Sequence, residues 1–194
     1  MIMMCNEHPS VEPGGEVAEF RRELDCAARF DMAILITGDD GDDNRAVAEA
    51  IHRRSRRAGA PFLAIDCADM SEPELESTLF GCAYGGADSA GTRGCLERSH
   101  GGTVFVANVD VMSGKLQALL MQFLENGEIR RVGEDRVHRK VDVRVMTSAE
   151  WGPFARPSRL RVRADLFYRL NVMHLAMATF RRLPEAVPHG WAKR

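Results

Sequence analysis

The sequence contains no hydrophobic run of the length that a membrane-spanning helix requires. Such a helix needs about 20 consecutive apolar residues, and one of the longest apolar runs here is only Met32–Ile36. The first residues, with Glu7 and His8 soon after Met1, lack the basic start and the apolar stretch of a secretory signal peptide. We therefore expect no membrane partner and a cytoplasmic location.

The chain also lacks a large net charge and any paired cysteine motif. Its formal net charge is -2 over 194 residues, which argues against binding nucleic acid through an overall positive field. The five cysteines are odd in number and no two of them form a C-x-x-C pair, so neither a disulfide scaffold nor a structural zinc site is expected. We predict free thiols in a reducing compartment.

Charged residues are unevenly distributed along the chain. Residues 1–43 contain eleven acidic and three basic residues, whereas residues 156–194 contain nine basic and two acidic residues. A basic segment of this kind is able to contact nucleic acid or an acidic partner. A solvated surface balanced by the acidic front of the same fold explains the pattern as well, so both interpretations stay open.

Five apolar runs alternate with amphipathic segments, and this alternation predicts the fold class. Continuous apolar runs are typical of strands covered on both faces, as in a parallel sheet, and helical spacing of apolar residues separates them. With 45% hydrophobic residues the chain can build a core, and we predict an α/β three-layer sandwich around a five-stranded parallel sheet. The predicted strands are 32–37, 61–66, 103–109, 141–147 and 171–177, and the predicted helices are 16–30, 44–57, 71–80, 115–125 and 163–170.

Several local features are predicted between these elements. Ser71 and Glu74 have the spacing of a capping box at a helix start. Residues 81–102 are rich in glycine, alanine and serine without apolar periodicity, which indicates a long loop or a small insertion. The runs 129–132 and 136–140 flank a Gly-Glu-Asp turn and predict a hairpin.

Six blocks of sequence follow one another in an ordered series. They are Pro61–Ala68, Leu75–Gly81, Gly101–Val106, Gly127–Gly133, Val141–Val145 and Arg163–Val172. In this order and spacing they resemble the AAA+ ATPase domain of NtrC-type activators, the sigma-54-dependent enhancer-binding proteins. The resemblance covers residues 16–183, which leaves residues 1–15 as a flexible arm and residues 184–194 as a tail.

This resemblance implies a fold, an activity and partners. Domains of this family are P-loop AAA+ sandwiches that form rings, bind ATP between subunits and use its hydrolysis to remodel the closed complex of sigma-54 RNA polymerase. The implied partners are homo- or hetero-oligomers with AAA+ relatives and the transcription machinery. Few residues follow Arg182, so the helical lid of the family is expected to be largely absent.

The residues that match the P-loop of the family are altered. The pattern is G-x-x-x-x-G-K-[ST], in which backbone N–H groups hold phosphates and the lysine neutralises them. Here the stretch reads Gly-Asp-Asp-Gly-Asp-Asp-Asn-Arg over residues 38–45. Gly38 remains, and Gly41 lies within the loop, whereas Asp43 replaces the second motif glycine and Asn44 replaces the lysine. Arg45 lies one position late and is expected to point along the other side of the helix.

Four aspartates therefore lie where a triphosphate of the same charge sign would bind. Two like charges about 4 Å apart repel by about 4 kcal/mol at an effective dielectric constant near 20, so we expect most of the ATP affinity to be lost. These carboxylates are also possible oxygen ligands for Ca²⁺ or Mg²⁺, although their spacing is not that of an EF-hand. A solvated acidic loop is the simpler interpretation, and a different small ligand such as a cyclic dinucleotide is a third.

The second acidic motif of the family, at the end of the third predicted strand, is altered as well. In the family an aspartate holds Mg²⁺ and a glutamate orients the attacking water. Ala107 and Asn108 occupy these positions, and alanine binds no metal whereas asparagine is no base. Glu150 stands where the family has a sensor asparagine. These changes predict a pseudoenzyme that has no catalytic residues. No cofactor is expected, because ATP and Mg²⁺ are implied only by the resemblance.

Two contact elements of the family can also be located. Its polymerase-contact loop, G-A-F-T-G-A, aligns with Gly85–Ala90, where Ala87 and Asp88 replace the contacting aromatic and threonine. Arg163 and Arg169 match the paired arginines that reach the nucleotide of a neighbouring subunit. Local ion pairing, for example with Asp165, is the alternative for these arginines.

The sequence thus predicts an NtrC-like AAA+ pseudo-ATPase that regulates transcription through protein–protein contacts. In one version it joins or blocks a ring of active relatives, with Arg163 and Arg169 facing the ATP of a partner. A weak ATP-binding activator of sigma-54 transcription is one alternative. A DNA-binding regulator that uses the basic C-terminal segment, with salt-dependent affinity, is another.

Overall fold

The architecture was described from a computed structural model of the chain. The structure describes residues 15–38, 41–84, 91–134, 139–149 and 161–177. The predicted C-terminal tail and nearly all of the predicted N-terminal arm lie outside these ranges. No helix within them is long and apolar enough to span a bilayer.

Helices and strands alternate along most of the chain. The helices are α1 (Gly15–Arg29), α2 (Gly41–Arg54), α3 (Glu72–Phe80), α4 (Cys95–Arg98), α5 (Gly114–Asn126) and α6 (Ala164–Leu170). The strands are β1 (Ile34–Thr37), β2 (Phe62–Asp66), β3 (Gly81–Cys82), β4 (Thr92–Arg93), β5 (Thr103–Ala107), β6 (Glu128–Ile129), β7 (Arg139–Lys140), β8 (Arg144–Ala149) and β9 (Met173–Ala176).

Five of these strands form one parallel sheet in the order β2-β5-β8-β1-β9. The three central strands β5, β8 and β1 are buried at every residue, whereas the edge strand β2 is half-buried. Strands covered on both faces have no polar side, which is why β1 and β5 are almost entirely apolar. Strand β8 also contains buried polar residues, namely Arg144, Thr147 and Ser148. The predicted five-stranded parallel sheet is confirmed.

Side chains alternate between the two faces of the sheet and build two separate cores. Ile34 and Ile36 face the layer of α1 and α2, together with Phe105 of the neighbouring part of the sheet. Leu35 and Val104 face the opposite layer, which contains α3, α5 and α6. The predicted three-layer sandwich is confirmed, because each face of the sheet is covered by helices.

A buried arginine joins the sheet to the end of α1. Arg144 is 2% exposed, and its guanidinium donates to the carbonyl oxygens of Ala27 at 2.6 Å and Met32 at 3.3 Å. Burial lowers the pKa of Arg144 to about 10. The side chain thereby satisfies backbone carbonyls that the end of a helix leaves without partners.

Several predicted boundaries are corrected by the structure. Helix α2 covers Gly41–Arg54 rather than 44–57, since a hydrogen-bonded turn closed by Ser55 follows Arg54. Strand β8 covers Arg144–Ala149 rather than 141–147. Val141 instead donates to the carbonyl of Gly127 at 2.8 Å, so the preceding residues belong to the connection.

Residues 81–102 contain regular structure where a long loop or a small insertion was expected. Strands β3 and β4 pair antiparallel, and the short helix α4 follows. Gly94 allows this compact arrangement, because a Cβ atom there would lie 2.3 Å from the carbonyl oxygen of Leu79. Two-residue strands are too short to show a periodic pattern, which explains why periodicity did not predict them.

The predicted capping box of α3 is not formed. Ser71 occupies the N-cap position, but its side chain makes no capping hydrogen bond. Pro73 provides no N–H group at the second helical position, which removes one of the donors that a capping serine uses. The predicted hairpin near residues 129–140 is present, with Glu128 opposite Lys140 in an antiparallel pair.

Candidate functional site

The strands of the central sheet end at one edge, where α/β proteins bind their ligands. Thr37 ends β1, Asp66 ends β2 and Ala107 ends β5. Because the strands are parallel, these three ends and the adjoining turns line the same edge. The residues predicted to form the nucleotide site therefore come together in the fold.

Asn44, at the position of the P-loop lysine, points into the protein rather than toward solvent. The residue is 3% exposed, and its Nδ2 donates to the carbonyl oxygen of Gly38 at 3.3 Å. Its Oδ1 is buried and has no hydrogen-bond partner within the described part of the chain. The amide therefore ties the first turn of α2 back to the end of β1.

Gly38 also lies close to Met177, which directly follows strand β9. A Cβ atom on Gly38 would lie 2.7 Å from Cβ of Met177 and 3.1 Å from Oδ1 of Asn44. Only glycine accepts so close an approach without displacing its neighbours. Met177 was not identified from the sequence, and only its place directly after an apolar strand would have indicated it.

The remaining P-loop residues are distributed around the start of α2. Gly41 is the first residue of the helix, and Arg45 is exposed whereas Asn44 is buried. Arg45 therefore lies on a different side of the helix from Asn44, as expected from their adjacent positions. Asp39 and Asp40 lie outside the described residues, as does the side chain of Asp42. The predicted acidic cluster therefore lies mostly outside the part of the chain that the structure describes.

Asn108, at the position of the family glutamate, is held by a carboxylate from the neighbouring strand. Its Nδ2 donates to Oδ1 of Asp66 at 2.8 Å, and the same oxygen accepts from the backbone N–H of Ala68 at 2.9 Å. Ala107 directly precedes it and is buried. The carboxylate at this edge therefore comes from β2, while neither Ala107 at the end of β5 nor Asn108 after it has one.

The backbone of Asn108 is also unusual. Its φ of 55° places it in the left-handed region, where asparagine is among the residues found most often. Its N–H donates to Oγ of Ser148 in β8 at 3.3 Å. Asn108 is thus fixed by contacts with the two strands on either side of β5. Sequence reasoning missed Asp66, although its place at the end of a buried strand was a usable signal.

The residues present do not fit a magnesium-bound triphosphate. The side chain that replaces the lysine carries no charge and is turned back onto Gly38. The side chain of Ala107 has no oxygen to offer a metal ion. The first turn of α2 still presents backbone N–H groups of the kind that bind anions. No group of three or more metal-ligating side chains is found among the residues that the structure describes.

Both candidate arginine fingers make local contacts. Arg163 forms a two-point ion pair with Asp165, with distances of 3.1 and 2.7 Å, and this pairing lowers the pKa of Asp165 to about 2. Arg169 donates to the carbonyl oxygen of Leu124 at 2.8 Å, near the end of α5. This geometry corresponds to the alternative of local pairing, although both guanidinium groups remain at the surface.

A buried glutamine positions the segment that precedes α6. The Nε2 of Gln117 donates to the carbonyl oxygens of Met112 at 2.9 Å and Arg161 at 2.8 Å, and its Oε1 accepts from the N–H of Arg163 at 2.8 Å. Gln117 is buried on α5. Sequence analysis did not identify it, although a polar residue between Leu116 and Leu120 on an apolar helix face was a signal.

Other predicted positions lie outside the described residues. Glu150 follows the last described residue of β8, and the segment aligned with the polymerase-contact loop covers residues 85–90. Most of the basic C-terminal segment also lies outside. Within the described ranges the four cysteines are free, and burial raises the pKa of Cys67 to about 12, which keeps it a protonated thiol near neutral pH.

A comparison with protein-family models finds one that covers most of the chain. Residues 12–176 match the sigma-54 interaction domain. The match includes the turn at Gly38, the end of β5 and the segment with Arg163 and Arg169.

Among characterised proteins, two bacterial regulators illustrate the similarity. The transcriptional regulatory protein XylR of Pseudomonas putida is 40% identical over 168 residues, which are 85% of this chain and 29% of that protein. The HTH-type transcriptional regulatory protein TyrR of Enterobacter agglomerans is 40% identical over 177 residues, 89% of this chain and 33% of that protein. The chain therefore spans about a third of the length of these relatives.

Solved structures show the same fold. NtrX from Brucella abortus superimposes with a TM-score of 0.77 at 30% identity, covering 89% of this chain and 39% of NtrX. NtrX has also been solved in complex with ATP, and that structure matches with a TM-score of 0.74 at 28% identity over 91% of this chain and 40% of NtrX.

Proposed function

The chain belongs to the sigma-54 interaction domain family, and we propose that it is a member that regulates transcription through protein contacts without hydrolysing ATP. The regulators XylR and TyrR support a role in transcription. The fold is the P-loop AAA+ sandwich with its parallel sheet. The loss of hydrolysis is inferred from the residues at the edge of that sheet.

The inward side chain of Asn44 is the observation that carries the proposal. In a working P-loop the residue at this position extends a positive charge toward the phosphates. Here an uncharged amide is buried and bonded to the carbonyl of Gly38. Removing that charge and placing aspartates nearby changes the interaction with a triphosphate from attraction to repulsion.

The end of β5 supports the same conclusion independently. The side chain of Ala107 offers no ligand for Mg²⁺, and the neutral amide of Asn108 is not a general base. The nearest carboxylate, Asp66, already accepts hydrogen bonds from Asn108 and Ala68. Two separate parts of the catalytic apparatus are therefore changed.

The proposed activity uses the surfaces that AAA+ domains share with their neighbours. In a mixed ring, Arg163 and Arg169 of this chain would face the nucleotide of an active relative. Release of Arg163 from Asp165 costs little, because both side chains are about half exposed and solvent screens surface ion pairs of this kind. The chain would then change the hydrolysis rate of its partner while hydrolysing nothing itself.

Calorimetry and chromatography test the two halves of this proposal. Titration with ATP and Mg²⁺ is expected to show no binding tighter than about 1 mM, the weak end of useful nucleotide affinity. Co-elution with an active NtrC-type relative, and a changed ATPase rate of that relative, are expected. The double variant R163A/R169A should lose the effect on the rate, whereas R22A, an exposed arginine of α1, should keep it.

A weak ATP-binding domain is the second candidate, and one observation favours it. Helix α2 begins at Gly41, and the start of a helix is a place where backbone N–H groups and the helix dipole favour an anion. ATP binding in the micromolar range would support this candidate and contradict the proposal. Failure to co-elute, with no change in the ATPase rate of the relative, would contradict the mixed-ring half.

A further inference from the structure

The side chain of Gln117 is a buried carboxamide that bonds to three backbone groups. It is 2% exposed and lies on α5 between apolar neighbours. Its Nε2 donates to the carbonyl oxygens of Met112 at 2.9 Å and Arg161 at 2.8 Å. Its Oε1 accepts from the N–H of Arg163 at 2.8 Å. A glutamine amide has two N–H donors and one carbonyl acceptor, so each of these groups has a partner.

Two of these bonds hold the segment that leads into α6. The carboxamide bonds to the carbonyl of Arg161 and to the N–H of Arg163, on either side of Val162. Val162 is 6% exposed and packs in the core beneath α5 and α6. Gln117 therefore bonds to this segment as the peptide group of a neighbouring strand would, and it holds the backbone while the side chain of Val162 fills the core.

The third bond ties the same carboxamide to the connection that begins at the end of β5. Met112 follows the single helical turn Val109–Val111, which begins directly after Asn108. The N–H of Met112 donates to the carbonyl of Val109 at 3.3 Å, and its carbonyl accepts from Gln117. Gln117 thus joins the end of the sheet strand at the candidate nucleotide site to the segment before α6.

The backbone of Arg163 is fixed on both sides, whereas its guanidinium stays at the surface. Arg163 is the N-cap residue of α6, and its carbonyl accepts from the N–H of Phe167 at 2.9 Å. Its N–H donates to Gln117. The side chain is 49% exposed and pairs with Asp165. A charged group that can leave its ion pair is therefore attached to a backbone position that cannot shift freely.

Arg169 is held in a different way. Its backbone lies within α6, and its guanidinium donates to the carbonyl of Leu124 at 2.8 Å. Leu124 is among the last four residues of α5, whose carbonyls lack partners inside a helix. The two arginines therefore depend on separate contacts with the same helix, and Arg169 serves as an internal comparison for Arg163.

We propose that Gln117 is the positioning residue of Arg163 and fixes the backbone from which its guanidinium reaches the nucleotide of a neighbouring subunit. The inference rests on the proposed function, in which Arg163 faces the ATP of an active relative. Gln117 contacts neither the nucleotide nor the partner in this arrangement and acts through Arg163. Misplacing a group by about 1 Å can reduce a rate about 100-fold, so an arginine that acts on a transferring phosphoryl group requires a fixed base.

Hydrogen exchange of the full chain tests the fixed backbone without partner or nucleotide. Q117M removes all three hydrogen bonds but keeps an unbranched side chain of similar length. The amide of Arg163 is expected to exchange at least about 10-fold faster in Q117M. The amide of Asn171, which donates to the carbonyl of Phe167 at the other end of α6, should keep its rate and report that the helix is folded. Q122M is the matched control, because Gln122 is an exposed glutamine of α5.

The ATPase rate of an active relative tests the role of this position in the mixed assembly. Q117M is expected to reduce the effect of the chain on the kcat of the relative about 10- to 100-fold. Co-elution should be unchanged, and the KM of the relative for ATP should stay within about two-fold. Q122M should behave as the unchanged chain does.

A double-mutant cycle shows whether Gln117 acts through Arg163. Q117M/R163A is expected to reduce the effect on the rate no further than R163A alone, because the positioned group is already absent. Q117M/R169A is expected to reduce it further than R169A alone. Additive losses from Q117M and R163A would overturn the inference.

Q117E is a second variant that keeps the volume and an acceptor for the N–H of Arg163. Across Q117M and Q117E the effect on the rate is expected to follow the protection of the Arg163 amide. A retained effect with a rapidly exchanging amide, or a lost effect with a protected amide and normal co-elution, would overturn the inference. If Q117M does not fold, Q117E alone decides by the same criterion.

The two proposals fail in distinguishable ways. If the unchanged chain neither co-elutes with the relative nor changes its rate, the mixed ring is wrong, and the role of Gln117 falls with it. If the unchanged chain changes the rate and Q117M changes it equally, only the role of Gln117 is wrong. ATP binding by the chain contradicts only the inactive nucleotide site.

Discussion

Asp66 and Asn108 form a donor–acceptor pair whose roles can be exchanged. The amide of Asn108 donates to the carboxylate of Asp66 at 2.8 Å. Asp66 ends β2, and Asn108 directly follows the last residue of the neighbouring strand β5. A pair of this kind keeps its hydrogen bond when the carboxylate and the amide trade places, but not when both positions are carboxylates. The stability of the end of β5 therefore depends on the combination and not on either residue alone.

A double-mutant cycle at this pair tests that dependence. N108D places two carboxylates within hydrogen-bond distance, and we expect a loss of about 1–3 kcal/mol in the free energy of unfolding at pH 7. The exchanged variant D66N/N108D is expected to recover most of that loss because an amide again faces a carboxylate. Urea unfolding of both variants, D66N and the unchanged chain measures the coupling. Additive effects of the single changes would contradict it.

At the scale of single residues, the sequence predicted only part of the site. The sequence placed Gly38, Asn44, Ala107 and Asn108 correctly relative to the strands, because each follows or flanks a buried apolar run. It did not predict that Asn44 turns back onto Gly38, since a side-chain rotamer depends on neighbours such as Met177. It also missed Asp66, whose partner lies 42 residues away in the chain.

Helix starts differ in how their first N–H groups are satisfied. At α5 the hydroxyl of Ser113 accepts from the N–H of Leu116 at 3.3 Å and donates to the carboxylate of Glu72 at 2.7 Å. At α3, Ser71 makes no capping bond with its side chain. Both serines occupy the N-cap position of their helices, but only the side chain of Ser113 makes a capping hydrogen bond.

These two serines provide a matched pair of variants. S113A is expected to lower the free energy of unfolding by about 1 kcal/mol, because it removes a capping bond and the contact between α5 and α3. S71A is expected to change it by less than about 0.5 kcal/mol, as surface substitutions without a specific contact do. Urea unfolding at constant pH compares them, and an equal loss in both variants would contradict the assignment.

Elements with an apolar period or a clear turn signal were predicted, whereas the two-residue strands β3 and β4 were not. The sheet strands and the helices α1, α2, α3 and α5 were located within a few residues, since burial imposes an apolar pattern over many positions. Strands β3 and β4 have two residues each and show no period. They exist because Gly81 and Gly94 allow close backbone contacts, which a pattern of apolar residues does not report.

The stability of the whole molecule is coupled to pH through a histidine between two layers. His52 of α2 is buried, its Nδ1 lies 2.9 Å from Oγ1 of Thr103 in β5, and its ring packs at 5.2 Å from that of Phe62. Burial lowers the pKa of His52 below its ordinary value of 6.5. The pKa of His174, whose Nε2 lies 2.9 Å from Oγ1 of Thr37, is lowered in the same direction by desolvation, although part of its side chain is exposed.

The direction of the pH effect follows from these lowered values. Below pH 6.5 the unfolded chain binds protons at both histidines, whereas the folded chain does so only at lower pH. Protons therefore favour unfolding, and the free energy of unfolding is expected to fall as the pH drops from 7 toward 5. The slope is at most about 1.4 kcal/mol per pH unit for each histidine that titrates.

Urea unfolding of the full chain between pH 5 and 7 measures that slope, and two variants assign it. H52Q keeps a polar side chain beside Thr103 without a titratable ring, so its slope is expected to be smaller than that of the unchanged chain. H52Q/H174Q is expected to be nearly flat. The carboxyl groups with lowered pKa values, Glu134, Asp142 and Asp165, are ionised in both the folded and the unfolded chain between pH 5 and 7, so their contribution stays constant there. If the slope stays the same in both variants, groups other than His52 and His174 cause the pH dependence of the free energy of unfolding. The buried contact between α2 and β5 would then make no contribution to that dependence.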